Sequence, residues 1–274
     1  MSAELPSSLA LLGAGKMGQA MLAGWLAQGL EASRITAIDP HLDEAARALL
    51  AKKGVRLTAS PEGLPSPEAL VLAIKPQTLE SAAAGARGLI GKDTLVLSIL
   101  AGKRIADLAS RLGVSAGIVR AMPNTPAAVA RGISAAVAAP GTTDRQQAMA
   151  DALLASIGRV EWIEDEAFID PVTAVSGSGP AYVFLLVECL AQAGAKAGLP
   201  PELAMRLARA TIEGAGELLF RDQETDASTL RRNVTSPGGT TAAALEVLMA
   251  SNGLSPLMER AVAAATRRAR ELAG

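Results

Sequence analysis

Apolar positions along this chain change their period once, near residue 164. Before that point, short apolar and β-branched runs alternate with segments whose apolar residues recur at helical spacing. The run at 9–12 ends in glycine and a helical pattern at 17–28 follows, so strand, tight turn and helix come first. Further strand-like runs at 35–38, 55–57, 70–74, 94–99, 118–120 and 133–138 alternate with helical patterns at 43–53, 79–89 and 105–112. Such alternation predicts an α/β fold with a doubly wound parallel sheet of the Rossmann type. A last strand is expected at 159–163. Beyond the acidic patch of Glu161, Glu164, Asp165 and Glu166 only long Ala- and Leu-rich helices are indicated. Residues 1–164 are therefore read as a dinucleotide-binding domain, and residues 165–274 as an all-α domain. Ser176-Gly177-Ser178-Gly179-Pro180, Gly198-Leu199-Pro200-Pro201 and the loop at 236–241 each stand where a helix should begin. Helical units this rich in alanine often pair with a second copy.

Composition narrows the possibilities. Half of the 274 residues are hydrophobic, enough for a packed core in one large domain or two ordinary ones. The 26 basic and 27 acidic residues nearly cancel, with no long basic run, which argues against nucleic acid or an anionic membrane as partner. Aromatic residues, at 2%, are too scarce for base stacking. No apolar window of about 18 residues is free of charge, so no membrane span is expected. The lone cysteine, Cys189, lies in an apolar run and is expected to be a buried, inert thiol. Without a disulfide framework or a signal-like start, a cytoplasmic location is expected. The single histidine, His41, and Cys189 cannot build a His/Cys metal cluster, and the acidic residues lack EF-hand spacing, so metal-free chemistry is expected.

Two segments carry candidate chemistry. Gly13-Ala14-Gly15-Lys16-Met17-Gly18 follows an apolar strand and opens an amphipathic helix, the context that turns a Gly-rich motif into a dinucleotide site. Gly13 permits the turn, Gly15 lets the pyrophosphate approach the backbone, and Gly18 lets the helix lie close to the strand. Met17 faces either the nicotinamide side or the core. Asp39, at the end of the second strand, is placed to accept the adenosine ribose hydroxyls. It would repel a 2′-phosphate of about −1.5 to −2 charges unless Arg34 or His41 offset it, so NAD(P)H is expected with a lean to NADH. Asp39-Pro40 also reads as turn chemistry followed by a helix cap. Lys75, Ser98, Ala101-Gly102 and Asn124 all follow predicted strands on the carboxyl edge of the sheet, where open α/β sheets bind ligands. Asn124 would bond the nicotinamide carboxamide or cap a turn.

The second segment is Asn233-Val234-Thr235-Ser236-Pro237-Gly238-Gly239-Thr240-Thr241. Two glycines and two threonines at a helix start offer backbone amides and hydroxyls to a carboxylate and a neighbouring polar atom of one small substrate. A plain Ser-Pro helix start is the alternative. Ser176 and Gly177 lie in a second such turn.

These motifs, with Ala73-Ile74-Lys75-Pro76, Met122-Pro123-Asn124-Thr125-Pro126-Ala127 and 172–182, resemble the pyrroline-5-carboxylate reductases over nearly the whole chain. The resemblance implies an N-terminal Rossmann domain and a C-terminal helical dimerisation and substrate domain. It implies hydride transfer from NAD(P)H to 1-pyrroline-5-carboxylate, giving L-proline. By the same resemblance the protein is a homodimer, with further assembly into a decamer of five dimers. It also implies that the amides of Gly239, Thr240 and Thr241, with Ser236 and Gly238, hold the substrate carboxylate and that Thr241 lies near the ring nitrogen. Glu166, Asn233 and Val234 would line that pocket, and Lys75, Ala101 and Asn124 would belong to the cofactor site. The chain departs from the family at Asp39-Pro40, where many members place residues that hold the 2′-phosphate. Ser60 before Pro61-Glu62, where asparagine is usual, implies different adenine-side contacts, and Pro171 replaces a usual alanine within a tolerant first helical turn.

The expected mechanism is one of positioning. A protonated ring nitrogen already makes the adjacent carbon electrophilic, so the protein mainly holds donor and acceptor carbons about 3 to 3.5 Å apart. A 3-hydroxyacid dehydrogenase would need a lysine in the first long helix after the domain junction, and 181–193 contains none. A nucleotide sensor without turnover would have no use for the loop at 236–241.

Overall fold

The apolar runs of the N-terminal part become an eight-stranded sheet in the computed structural model, which describes residues 5–114 and 117–273. The strands are β1 (Leu9–Leu12), β2 (Ile35–Ile38), β3 (Arg56–Thr58), β4 (Ala69–Leu72), β5 (Leu95–Ser98), β6 (Ile118–Met122), β7 (Gly132–Ala138) and β8 (Gly158–Trp162). They lie in the order β3-β2-β1-β4-β5-β6-β7-β8. The helices α1 (Lys16–Ala27), α2 (Glu44–Lys52), α3 (Leu79–Gly88), α4 (Ile105–Leu112) and α5 (Asp144–Ala155) connect them. β1, β4, β5 and β6 are buried along their whole length, as strands covered on both faces must be, which is why they read as unbroken apolar runs.

Alternate side chains feed two cores. Leu11, Val71, Leu97 and Val119 join Met21, Leu22 and Trp25 of α1 and Leu153 of α5 on one face. Leu12, Leu70, Val96 and Ile118 meet Leu89, Leu108 and Leu112 on the other. Trp25 is fully buried and its indole N–H donates to the Leu153 carbonyl at 2.9 Å, so its one polar atom is satisfied. The strand order reverses at β1, between β2 and β4, and this places the ligand-binding crevice at their carboxyl ends.

The expected sheet needs correction, and one helix was missed. The sheet is not parallel throughout: β7 runs antiparallel to β6, pairing Arg120 with Val137 and Met122 with Ala135. Residues 123–131 are too few for a crossover, which takes about a dozen residues, so the chain turns back instead. Helix α5 went unread although Thr143 and Gln146 form a reciprocal capping box at its start.

Glu68 ties the start of β4 to the N-terminal segment. Its carboxylate accepts from the Ser7 amide at 2.7 Å and the Ser7 hydroxyl at 2.9 Å, and it pairs with Arg145 of α5. Burial pushes the Glu68 carboxyl up, but the Ser7 hydrogen bonds and the Arg145 charge outweigh it and leave the pKa lowered. A depressed folded-state pKa stabilises the protein above the unfolded value, about 4.3, and that contribution is lost as pH falls through the folded value. Urea unfolding of Glu68→Gln is expected to show lower stability than wild type at pH 7 and a narrowing gap toward acid. A gap that stays constant with pH would refute this linkage.

Compactness divides the chain into Met1–Gly177 with Thr266–Gly274, and Ser178–Ala265. A short helix, α6 (Ile169–Val172), and the π-helical turn Thr173–Gly177 close the first unit. The second holds α7 (Gly179–Lys196), α8 (Pro201–Arg221), α9 (Ala227–Asn233), α10 (Thr240–Leu248) and most of α11 (Leu254–Ala273). α7, α8 and α10 begin within the turns that the sequence marks, with Pro180 and Pro201 in first helical turns. α7 and α8 pack through small residues, Ala191, Ala204 and Ala208.

Large apolar side chains of α7, Val183, Phe184, Leu185, Leu186 and Leu190, stay exposed in the single chain. Cys189 is exposed with them, which corrects the expected burial: an apolar run records that a face will be covered, not which chain covers it. The membrane expectation also changes. The helical stretch Glu166–Lys196 is long and apolar enough, by length and composition, to cross a bilayer.

Candidate active site

The Gly-rich loop between β1 and α1 is shaped by contacts that exclude side chains. Gly13 has φ +94°, and a Cβ there would lie 2.7 Å from the Ala73 carbonyl oxygen. A Cβ on Gly18, in the first turn of α1, would lie 2.4 Å from the Gly13 carbonyl oxygen, so helix and loop are in backbone contact. Gly15 differs: a Cβ there would meet nothing within 4 Å. It is the N-cap of α1 and supplies no side-chain cap, so the first amides of the helix keep their capacity for an anion. The Ala14 amide is held from behind, donating to Asp39 Oδ2 at 2.9 Å, while Asp39 Oδ1 accepts from the His41 amide at 2.9 Å.

A cleft of about 590 Å³ opens over this loop, lined by Gly13, Gly15, Asp39, His41, Lys75 and Thr78 among others. An open glycine cradle, an uncapped helix start and an acceptor at the end of β2 fit a dinucleotide. Other residues of the expected cofactor set lie outside the cleft lining. Lys16 is exposed on α1, Met17 packs partly against the core, and Gly18 is buried beneath the loop. Ala59 and Pro61 line the cleft in place of Ser60, whose hydroxyl accepts from the Glu62 amide at 3.2 Å. Ala101 is exposed beyond the end of β5. Asn124 uses both ends of its side chain within the fold, accepting from the Ile133 amide at 2.9 Å and donating to the Ser176 carbonyl at 3.3 Å. Of the two groups that could offset Asp39, His41 lines the cleft, whereas Arg34 pairs with Glu31 at 3.4 Å. A larger cleft of about 720 Å³ lies around Glu68, Lys92 and Arg145, near the amino ends of the strands, away from this edge.

The expected substrate residues divide between the two units. Glu166, Ser176 and Gly177 belong to the first; Asn233, Val234, Ser236, Gly238, Gly239, Thr240 and Thr241 belong to the second. Glu166 Oε1 accepts from Arg120 Nη1 at 2.7 Å and from the Ile105 amide at 2.8 Å. Arg120 was not singled out by the sequence reading, although a charge inside the apolar run Ile118–Met122 is itself a signal, because arginine is rarely buried without a partner. The Ser176 hydroxyl is buried without a hydrogen-bond partner, within the π-helical turn. Such turns are frequent at functional sites.

In the second unit α9 ends at Asn233, where Thr235 donates its hydroxyl to the Arg231 carbonyl at 2.7 Å and its amide to Arg232 at 2.9 Å. The Gly239 amide returns to Ser236 at 3.1 Å, and α10 starts at Thr240 with no side-chain cap on its first amides. An uncapped helix start flanked by two threonine hydroxyls can hold a small carboxylate. Among the described residues no group of three or more His, Cys, Asp or Glu is placed to hold a metal ion.

Comparison with known proteins follows the same division. The family described as "Pyrroline-5-carboxylate reductase dimerisation" matches residues 166–272, and "NADP oxidoreductase coenzyme F420-dependent" matches residues 8–102. The chain is 39% identical to the pyrroline-5-carboxylate reductase of Pseudomonas aeruginosa, over 97% of this chain and 96% of that one. It is 40% identical to that of Synechocystis, over 96% and 97%. Among solved structures, the pyrroline-5-carboxylate reductase of Coxiella burnetii superposes with a TM-score of 0.90 at 33% identity, covering 98% and 99% of the two chains. The Plasmodium falciparum pyrroline carboxylate reductase, solved with NADP bound, gives 0.81 at 28% identity, covering 97% and 98%.

Proposed function

We propose a division of labour for a chain that belongs to the pyrroline-5-carboxylate reductase family and so reduces 1-pyrroline-5-carboxylate to L-proline, the last step of proline biosynthesis. It is an NAD(P)-dependent oxidoreductase, and its helical region is a dimerisation domain. Bound at the β1–α1 loop, the dinucleotide supplies the hydride. The observation that carries the cofactor half is the Gly13 to Gly15 cradle over an uncapped helix start, closed behind by Asp39. Gly13, Gly15, Asp39 and Lys75 form the centre of that site, with Lys16, Met17, Gly18, Ser60, Ala101 and Asn124 around it. NADH is the preferred donor, because a carboxylate stands where a 2′-phosphate would go.

Residues 165–274 act as the substrate and dimerisation domain. The amides of Gly239, Thr240 and Thr241, with Ser236 and Gly238, clamp the substrate carboxylate, and the Thr241 hydroxyl holds the imine nitrogen. Asn233, Val234, Ser176, Gly177 and Glu166 complete the pocket. Carboxylate clamp and hydroxyl together fix the ring, so positioning carries most of the rate. The exposed apolar face of α7 is assigned to the partner subunit rather than to lipid, since it falls inside the dimerisation match. A decamer of five dimers and a cytoplasmic location belong to the same reading.

Steady-state oxidation of NADH, and separately of NADPH, with 1-pyrroline-5-carboxylate as acceptor tests this proposal. Oxidation with neither cofactor, in folded protein that binds dinucleotide, would overturn it. Thr241→Ala is expected to lower kcat about tenfold, the worth of one hydrogen bond to a charged group, while dinucleotide affinity stays unchanged. Unchanged turnover would remove Thr241 from the imine nitrogen.

A further inference from the structure

We infer that the buried pair of Arg120 and Glu166 is a positioning device for the cofactor edge, acting through the start of α4 on the loop at 99–104; this rests on the dinucleotide reading of that edge. Arg120 sits in the middle of β6, in register with Ser98 on one side and Val137 on the other, and is 2% exposed. Its guanidinium pairs with Glu166 at 2.7 Å, but its Nε is buried with no partner. Burying such a pair is costly, and apolar side chains of similar volume in place of both partners would often be as stable or more so. The retained charge therefore points to a role other than stability.

That role follows from what Glu166 holds. The oxygen that meets Arg120 also accepts the Ile105 amide at 2.8 Å. Ile105 is the first residue of α4, and its amide is one of those that the helix itself cannot satisfy. Arg120 thus fixes the carboxylate, and the carboxylate fixes the point where loop 99–104 enters α4. Elsewhere the loop is held by Leu100, whose amide donates to Ser98 Oγ at 3.3 Å. It is also held at Gly102, where a Cβ would lie 2.8 Å from the Leu272 carbonyl oxygen.

The loop leaves β5, which neighbours β4, and β4 leads to Lys75 in the cleft. Strands lie about 4.8 Å apart, so the end of β5 is roughly 10 Å from the Gly-rich loop, on the side away from Asp39. A dinucleotide laid across the switch point with its adenosine ribose at Asp39 extends its reactive half toward β4 and β5. The loop would then form a wall for that half. In this reading Glu166 acts on the cofactor edge as a positioning residue through Oε1, in addition to its place in the proposed substrate pocket.

Two substitutions sever the link at different points. Arg120→Met removes the anchor and replaces a buried charge by an apolar chain. Ile105→Pro removes the amide that Glu166 accepts at the cost of part of the Ile105 side-chain packing, and the backbone tolerates it, because proline is favoured at a first helical position and Arg104, at φ −78° and ψ 160°, is already extended as a residue before proline must be. The full-length, assembled protein would be titrated with NADH and NADPH by nucleotide fluorescence, with thermal unfolding measured alongside. Each variant is expected to bind dinucleotide about tenfold more weakly, and the double variant no more weakly than the worse single, because both break one linkage. Arg120→Met leaves Glu166 without its partner and should lose stability as well as affinity, whereas Arg120→Met combined with Glu166→Gln should keep thermal stability near wild type and still lose the affinity, a split that a purely structural role would not give.

Unchanged dinucleotide affinity in the folded variants, or fully additive losses, would overturn the inference. A rise confined to the KM for the imine would do the same, leaving Glu166 to the substrate pocket alone. If Arg120→Met does not fold, Ile105→Pro, which leaves the ion pair intact, decides the matter alone. Wild-type protein that binds dinucleotide but fails to reduce the imine would overturn the reductase reading, while the binding titrations would still judge the inference.

Discussion

Gly18→Ala is expected to lower kcat/KM for the dinucleotide by about a hundredfold while leaving a folded protein. The added Cβ would stand 2.4 Å from the Gly13 carbonyl oxygen, and the atom it meets is backbone, so no side-chain rotation relieves the clash. Either α1 or the loop must shift by the better part of an ångström. Overpacking of this kind costs about 1 to 3 kcal/mol, which a domain with two full cores survives. A displacement of about 1 Å in a positioning element costs about a hundredfold in rate, which the site does not survive. Gly15→Ala separates the two effects. Nothing in the protein lies within 4 Å of a Cβ at Gly15, and its φ of −68° suits any residue, so thermal stability should match wild type. Dinucleotide affinity should still fall, since only a bound pyrophosphate needs that space. Unaltered affinity in Gly15→Ala would mean that the cofactor does not approach the loop at this point.

That glycine pair also marks what sequence alone could supply. The Gly-rich motif, its strand and its helix were legible because each glycine answers a local demand, and local demands are written in adjacent residues. Helix α4 appears with the expected bounds, Ile105–Leu112, for the same reason: its apolar residues repeat at 3.6 and Gly113 ends it in the left-handed conformation. The direction of β7 was less legible. Apolar periodicity is the same for parallel and antiparallel strands, and only the shortness of 123–131 carried the answer. The fate of Cys189 and its neighbours on α7 was not legible either, since hydrophobicity specifies burial without specifying the chain that provides it.

At the site, Gly13, Gly15, Asp39 and Lys75 line one cleft, and residues joined only by the fold were not legible in the sequence. Asp39 and Gly13 meet in one cleft as expected, because β1 and β2 are neighbours in register. Arg120 and Glu166 are 46 residues apart and meet only because β6 runs beneath the start of α4. Asn124, read as a contact of the nicotinamide carboxamide or a turn cap, uses its side-chain amide within the fold, where it ties β7 to the π-helical turn through Ile133 and Ser176. A polar residue in a loop offers hydrogen bonds, and the sequence does not record whether fold or ligand takes them.

Asp39→Asn is expected to raise the ratio of kcat/KM for NADPH to that for NADH by about a hundredfold. Two groups of like charge a few ångströms apart at a protein surface repel by roughly 1 to 4 kcal/mol, and about 2.8 kcal/mol is a hundredfold. Asparagine keeps one oxygen to accept the Ala14 amide, so the loop retains its support, but its amide nitrogen cannot accept from the His41 amide as Asp39 Oδ1 does. NADH turnover should therefore fall modestly while NADPH turnover rises. Arg47 keeps its charge while its guanidinium donates to the neutral carbonyls of Leu42, Asp39 and Pro40, so it offsets part of the repulsion equally in wild type and variant and does not alter the comparison. The competing account gives Asp39 no part in selectivity and leaves it only the Ala14 and His41 amides to hold. Under that account wild type would use NADPH as well as NADH, and Asp39→Asn would depress both cofactors alike. Initial rates with each nucleotide, for wild type and Asp39→Asn, distinguish the two. Equal losses with both nucleotides would assign the carboxylate to the loop, and a ratio that moves chiefly through the NADPH term would assign it to the 2′ position.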